Sequence, residues 1–224
     1  MTPSINLYNE DCLPAMRKMA DNQYDLAIVD PPYGEGNDFA YKGEDKFTKF
    51  DNTKPNKNYF DELFRVSKEQ IIWGGNYFAH LLPETNAWIV WNKNNGESKM
   101  SDGEVAWTSL DFLLKIFKCH WTGSASLWED TNGKIHITQK PVQLYKYILH
   151  NYAEESDKIL DTHGGSMSIA IACHDYGFDL DLYEIDKEYF EAGKKRLETH
   201  KKRPQGFFKE KELQHDKKNT KPLL

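Results

Sequence analysis

The sequence predicts an α/β fold with a mostly parallel central sheet flanked by helices. Short apolar runs that end in turn residues alternate with stretches of helical periodicity. Two of the strand ends carry acidic, proline and glycine residues, where a parallel sheet receives its ligand. The length, 224 residues, suits one domain with a short appendage and buries a sizeable core without staples.

Taken in order, Asp25–Asp30 (Asp-Leu-Ala-Ile-Val-Asp) is a short apolar run bounded by turn residues, which predicts a strand covered on both faces. Ile71–Gly75 and Ala87–Trp91 repeat the pattern with β-branched and aromatic residues. From Pro141 to Tyr152, Leu144, Tyr145, Ile148, Leu149 and Tyr152 recur at three- and four-residue steps, and Pro141 suits a first helical turn. Strands over Lys158–Asp161 and Phe178–Tyr183 then alternate with helices over Ser166–Tyr176 and Lys187–His200. Two stretches break the alternation. Residues 34–58 read as a polar loop carrying Phe39, Tyr41, Phe47 and Phe50, and a loop of that length in a compact domain is functional or disordered. Residues 95–136, with Trp107, Trp121 and Trp128, read as irregular. The six Trp are expected mostly in the core, with Trp73, Trp88 and Trp91 on strands.

Composition excludes several classes. Cys12, Cys119 and Cys173 form no CxxC and no Cys/His pair at metal-ligand spacing, which argues against a disulfide scaffold or a zinc site and for a reducing compartment. Mean hydropathy is -0.76, and no apolar run reaches the length of a membrane span. The start, Met1-Thr2-Pro3-Ser4, shows neither the basic nor the apolar region of a secretion signal. A cytoplasmic protein without membrane contact is the expectation. The net charge of -6 conceals an asymmetry: residues 194–224 hold 11 Lys/Arg against 4 Asp/Glu, and the other 193 residues hold 18 against 31. A basic end on an acidic body suits a polyanionic partner, or is only a solvated terminus. Residues 1–203 are expected to form the domain and 204–224 a basic, flexible tail.

Asp30-Pro31-Pro32-Tyr33 directly follows the first predicted strand. Its two prolines stiffen the turn and lack N–H donors. The Pro31 carbonyl and the Asp30 carboxylate then offer two acceptors beside the flat Tyr33 ring, a combination suited to a planar ligand with an exocyclic amino group, as adenine or cytosine presents. A rigid strand-ending turn is the plainer reading of the tetrapeptide. Asp161-Thr162-His163-Gly164-Gly165-Ser166-Met167-Ser168 is a second strand–turn–helix junction, whose glycines admit close backbone approach and whose helix start presents free N–H groups. One strand later come Glu184-Ile185-Asp186, and an acidic residue about 20 positions past such a turn can hold ribose hydroxyls.

Together these motifs resemble the amino-methylating DNA methyltransferases, which transfer a methyl group from S-adenosyl-L-methionine to an exocyclic base nitrogen. Asp30-Pro31-Pro32-Tyr33 looks like their catalytic D/N/S-P-P-Y/F signature, and Asp161–Ser168 like their cofactor-binding D-P-F-x-G-S-G-T. The catalytic motif comes first here, the order of the family's β group. Asn9-Glu10-Asp11-Cys12-Leu13 resembles the G-D-C-L stretch that contacts the cofactor adenine, and Thr138-Gln139-Lys140-Pro141 the H-x-T-Q-K-P stretch that helps bind its methionine end. The resemblance covers residues 5–200. Thr162-His163 replace Pro-Phe, and Met167 replaces a glycine, which bears on backbone contact with the cofactor.

The resemblance implies a Rossmann-like methyltransferase fold. Asp30, Pro31, Pro32 and Tyr33 would be catalytic. Asp11, Cys12, Asp30, Gln139, Lys140, Pro141, Asp161, His163, Gly164, Gly165, Ser166, Ser168, Glu184, Ile185 and Asp186 would bind S-adenosyl-L-methionine. The implied partner is double-stranded DNA. The implied acceptor is adenine N6, because the cytosine-N4 enzymes more often begin the motif with Ser, and the protein-glutamine enzymes show Asn-Pro-Pro-Tyr. Cytosine N4, RNA, or a non-catalytic nucleic-acid-binding module on the same fold are the alternatives. A 5-methylcytosine enzyme needs a Pro-Cys nucleophile, and none of the cysteines follows a proline. Residues 95–136 would read the DNA sequence with the 34–58 loop; the 95–136 segment is short, so a short recognition site is expected, with a second subunit of a homodimer to cover the duplex. Lys194, Lys195, Arg196, Lys201, Lys202 and Arg203 form the densest basic cluster for phosphate contact.

Overall fold

The computed structural model describes residues 2–34, 53–96, 101–120, 135–136 and 138–203. The elements run β1 (Ile5–Tyr8), α1 (Cys12–Met16), β2 (Tyr24–Val29), α2 (Lys57–Val66), β3 (Ser67–Trp73), a 3-10 turn (Gly75–Tyr77), β4 (Trp88–Asn92), β5 (Gly103–Thr108), β6 (Lys115–Lys118), α3 (Val142–Tyr152), β7 (Lys158–Asp161), α4 (Ser168–Tyr176), β8 (Asp179–Tyr183) and α5 (Lys187–Lys201). The strands form one sheet in the order β1-β8-β7-β2-β3-β5-β4-β6. All neighbours pair in parallel except β5, which runs against both β3 and β4. The α/β prediction therefore holds, with β5 reversed among the described strands.

Strand alternation divides the core between the two faces of the sheet. Leu26, Ile28, Ile71, Trp73, Ile159, Leu180 and Leu182 pack with α3, α4 and α5. Ala27, Val29, Ile72, Leu160 and Tyr183 pack with α1 and α2. Burial on both faces is why β2 reads as an unbroken apolar run from Leu26 to Val29. Helix α4 is buried from Ser168 through Cys173 and ends at Gly177, whose φ of 87 supplies the left-handed turn that closes a helix.

Four expectations need correction. Residues 95–136 are not wholly irregular: they contain β5, wedged between β3 and β4 with Ala106, Trp107 and Thr108 buried, and β6 at the sheet edge. The strand expected at Ile71–Gly75 begins at Ser67 and stops at Trp73, because Gly74 turns into the left-handed region at φ 69. The loop expected over 34–58 gives way to α2 at Lys57, capped by the Asn56 side chain and holding Tyr59, Phe60, Leu63 and Val66 inward; residues 35–52 lie outside the described residues. Finally, Arg196 leaves the basic cluster. It is buried on the inner side of α5, where its Nη1 donates to the Ser166 carbonyl at 2.8 Å and to Ser168 Oγ at 2.9 Å. Lys194, Lys195, Lys201 and Lys202 are exposed, and the tail from 204 is outside the described residues. Among the described residues, no helix is long and apolar enough to cross a membrane.

Candidate active site

β2 leads to β3 on one side of the sheet while its other neighbour, β7, leads to β8, so the chain changes direction across the β2–β7 pair. Such a switch point opens a crevice at the strands' carboxyl ends. Asp30 follows β2, Asp161 ends β7 and Glu184 follows β8, which brings both sequence motifs to this edge. Because β5 is reversed, its first residues reach the same edge from the opposite direction.

Asp30, Tyr33 and Lys140 close a ring of hydrogen bonds. Lys140 Nζ donates to Asp30 Oδ2 at 2.5 Å and to Tyr33 Oη at 3.2 Å, and the Tyr33 hydroxyl donates to Asp30 Oδ1 at 2.5 Å. Lys140 was expected among cofactor ligands; its ammonium is held against Asp30 and Tyr33, while its carbonyl accepts from Ser168 Oγ at 2.7 Å. Burial pushes the Asp30 pKa up, opposed chiefly by the Lys140 ammonium. Burial would strip the Lys140 proton, but Asp30 and then Glu104 outweigh it and hold the ammonium above its usual range. The Tyr33 ring, expected as an open face, stacks on Tyr77 with centroids 4.8 Å apart and planes 15° from parallel. Tyr77 was not anticipated, nor was Gly74, whose backbone lies so close that a Cβ there would stand 2.1 Å from Tyr33 Cε1.

Across the switch point, Asp161 is buried and accepts from the His163 N–H at 2.9 Å. Burial raises its pKa to about 8, helped by the Asp30 and Glu184 charges. Glu184 accepts from the Gly165 N–H at 2.7 Å and the Asp186 N–H at 2.8 Å, so its carboxylate braces the glycine turn. Cys12 is buried near these acids: burial first, then Asp11, Asp161 and Glu184 among its neighbours, push its thiol up to about 12, which makes it an inert wall. Asp11 caps α1 by accepting from the Leu13 N–H, and Asp186 caps α5 by accepting from Glu188 and Tyr189. Ile185 is 64% exposed beside them, an apolar surface at the mouth of the turn.

His163 is held neutral by burial, its pKa lowered to about 4, with Thr162 Oγ1 2.9 Å from Nδ1. Tyr59 of α2 reaches the same Thr162 hydroxyl at 2.7 Å and sets its ring edge-on to His163 at 5.5 Å. Gln139 is buried, with Oε1 accepting from the Ile135 N–H, and Pro141 is buried as the residue preceding α3. Sequence reasoning missed Tyr59, and it missed His136, which lies 3.4 Å from where a Gly165 Cβ would stand and 4.2 Å from the Tyr189 ring. A signal for His136 was present, since it heads the His-x-Thr-Gln-Lys-Pro stretch.

Met167, the departure from the glycine pattern, keeps a glycine-like backbone at φ 57 and ψ 30. Its side chain is fully buried toward α5, where a Cβ on Gly193 would come within 2.7 Å of Met167 Cγ. The substitution thus faces the core and not the turn's open side. Met167→Gly would relieve about 1–2 kcal/mol of left-handed strain but empty a site whose truncation costs about 2–5 kcal/mol. The expected outcome is a net loss of up to about 4 kcal/mol in urea denaturation. A gain in stability would show that the Met167 side chain contributes little packing.

A family model described as DNA methylase, of the N6/N4 methyltransferase type, matches residues 78–195, which hold the β7–α4 turn and Glu184 but lie downstream of Asp30–Tyr33. The type II methyltransferase M.HpaI of Haemophilus parainfluenzae is 26% identical over 220 residues, covering 80% of this chain and 69% of that protein. The M1.HpyAVI–SAM complex superposes with a TM-score of 0.60 at 19% identity, over 86% of this chain and 98% of that one. The PvuII DNA methyltransferase, which is cytosine-N4-specific, does so with a TM-score of 0.59 at 14% identity, over 96% and 92%. These two likenesses carry the Rossmann-like methyltransferase fold. With its match extending over more than half of its length, the chain belongs to the N6/N4 family of DNA methylases.

Proposed function

We propose that the protein methylates the N6 amino group of adenine in double-stranded DNA, with S-adenosyl-L-methionine as donor. The observation that carries this reading is the Asp30–Tyr33–Lys140 ring set across the switch point from the Asp161 turn. Its donor set fits the cofactor: buried Asp161 and Glu184 suit a cationic, ribose-bearing ligand, Ile185 and Cys12 an adenine ring, and Gly164–Gly165 a close backbone approach. Bound there, S-adenosyl-L-methionine supplies an electrophilic methyl group on a sulfonium, which leaves without acid assistance.

The chain's own residues act on the base. An exocyclic amino nitrogen is a weak nucleophile because its lone pair is delocalised into the ring. Asp30 and the Pro31 carbonyl accept hydrogen bonds from its two N–H groups, favour the pyramidal nitrogen and aim the lone pair; as the N–C bond forms and the S–C bond breaks, one of those protons passes to solvent. Such positioning and electrostatic stabilisation is worth several kcal/mol. The base must first leave the duplex, at a cost of a few kcal/mol that stacking on the Tyr33–Tyr77 pair offsets in part. The alternative acceptor is cytosine N4, favoured by the likeness to the cytosine-specific PvuII enzyme. The test is transfer of labelled methyl to mixed-sequence DNA followed by nucleoside analysis. N6-methyladenine is expected; N4-methylcytosine would transfer the same chemistry to the other base, and unlabelled DNA would refute the activity.

Two expectations concern the cofactor side. Glu184→Gln removes the charge but keeps the shape, and the loss of a charge-assisted hydrogen bond should weaken cofactor binding by about 2 kcal/mol in calorimetry. An unchanged dissociation constant would take Glu184 off the ribose. The second is a pH dependence. Because burial holds the Asp161 pKa near 8, the folded chain retains a proton there at neutral pH. A cationic ligand prefers the ionised acid, so binding should release that proton and affinity should rise by up to about tenfold per pH unit until pH reaches the Asp161 pKa. By the same linkage, Asp161 favours folding below the usual carboxylate pKa, and that contribution is lost as pH rises toward 8. Calorimetry in buffers of different ionisation heat reads the proton directly, and buffer-independent heats would contradict it.

A further inference from the structure

Glu104 lies outside every motif, at the start of the one reversed strand, where its register partner is Trp91 of β4. Through that reversal its carboxylate enters the site behind Lys140. Glu104 Oε2 is 3.0 Å from Lys140 Nζ, and Oε1 is 2.7 Å from Lys93 Nζ. Lys140 Nζ donates to Asp30 Oδ2 at 2.5 Å and to Tyr33 Oη at 3.2 Å, while Glu104 Oε2 faces it as an ion pair outside hydrogen-bond geometry. The rings of Tyr33 and Trp73 complete the enclosure, 5.7 and 5.5 Å from Nζ, and the Lys140 side chain is 2% exposed.

We propose that Glu104 is a positioning residue for methyl transfer, holding the Lys140 ammonium from behind so that Lys140 and Tyr33 fix the Asp30 carboxylate where it meets the base amino group. The proposal rests on the transfer reading above. Lys93, Glu104, Lys140 and Asp30 alternate in sign and sum to zero. Removing the Glu104 charge leaves an excess cation beside a nitrogen that becomes positive as it takes the methyl group. It also removes one of the two carboxylates paired with the ammonium, which can then shift relative to Asp30.

The charge states agree with this arrangement. Burial alone would raise the Glu104 pKa, but the Lys140 and Lys93 ammoniums hold it at about 2, so Glu104 is ionised throughout the working range. Its charge raises both the Asp30 and the Lys140 pKa. The other titratable groups around the cluster include Tyr33, Tyr59, Tyr145 and Asp161, and the three tyrosines are pushed well above their usual range, led by burial.

The test is Glu104→Gln in the full chain, which keeps shape and removes charge. Expected are a fall in kcat of about 10²-fold, as for a catalytic group displaced by about 1 Å, cofactor affinity unchanged within threefold by calorimetry, and a displaced pH profile. Without the Glu104 charge both the Asp30 and the Lys140 pKa fall, so both limbs of the kcat profile move to lower pH. A purely structural Glu104 would leave the limbs in place. Glu104→Asp keeps the charge but shortens the reach, and should lower kcat with the limbs unmoved; this variant decides the matter if Glu104→Gln does not fold. A folded Glu104→Gln with wild-type kcat and pH profile overturns the proposal, as does a Glu104→Asp with wild-type kcat. If the unaltered protein methylates no DNA, the transfer reading itself has failed, a distinct result.

Discussion

Asp30→Ala is expected to abolish methyl transfer, lowering kcat by about 10³-fold or more, since preorganised groups that meet charge in the transition state are each worth about 10²–10³. Cofactor affinity should stay within a few-fold, because Asp161, Glu184 and the glycine turn are untouched. Stability should fall by less than the ~3–5 kcal/mol of a broken buried ion pair. Lys140 keeps Glu104 at 3.0 Å and the Tyr33 hydroxyl at 3.2 Å, so no buried cation is stranded. Burial also raises the Asp30 pKa by penalising its charged form, and removing the carboxyl relieves that desolvation cost. Asp30→Asn separates charge from shape: it retains a carbonyl acceptor and should keep residual activity. A folded Asp30→Ala protein with wild-type turnover would remove Asp30 from the chemistry.

How much of this could be read from the sequence depended on burial and on chain distance. Strands β2, β7 and β8 and helices α3, α4 and α5 were legible because the strands are covered on both faces and the helices carry long inward stripes. β5, Gly-Glu-Val-Ala-Trp-Thr, was not: only its last three residues are buried, and nothing in its composition announces a reversed direction. The edge strand β6 has an exposed Ile116 and no alternation to detect. Asp30, Asp161 and Glu184 stood out because each follows a strand with turn residues beside it. Glu104 did not, since its partners Lys93 and Lys140 are joined to it only through the fold. Arg196 was hidden among Lys194 and Lys195, yet helical phase could have found it: it falls three residues after buried Gly193 and one before buried Leu197.

The second large effect is expected at Gly74→Ala, a residue that touches neither cofactor nor base. Two costs coincide there. The backbone sits at φ 69, where a side chain costs about 1–2 kcal/mol. The new Cβ would also stand 2.1 Å from Tyr33 Cε1, so the ring must retreat by more than 1 Å. Tyr77 blocks that retreat on one face at a 4.8 Å stacking distance, and the Tyr33 hydroxyl is tied to both Asp30 and Lys140. The ring therefore cannot move without loosening Asp30, and kcat should fall by about 10²-fold. The neighbouring glycine supplies the control. A Cβ on Gly75 would meet Trp107 Cβ at 2.5 Å and the Trp107 backbone nitrogen at 2.9 Å, a clash with β5 that does not involve Tyr33. Gly75→Ala should lower the melting temperature with a smaller loss of kcat in the folded fraction, whereas Gly74→Ala should lose more rate than stability. Equal rate losses in the two variants would mean that the glycine pair serves only the packing of the sheet, and that Tyr33 is positioned by Asp30 and Lys140 alone.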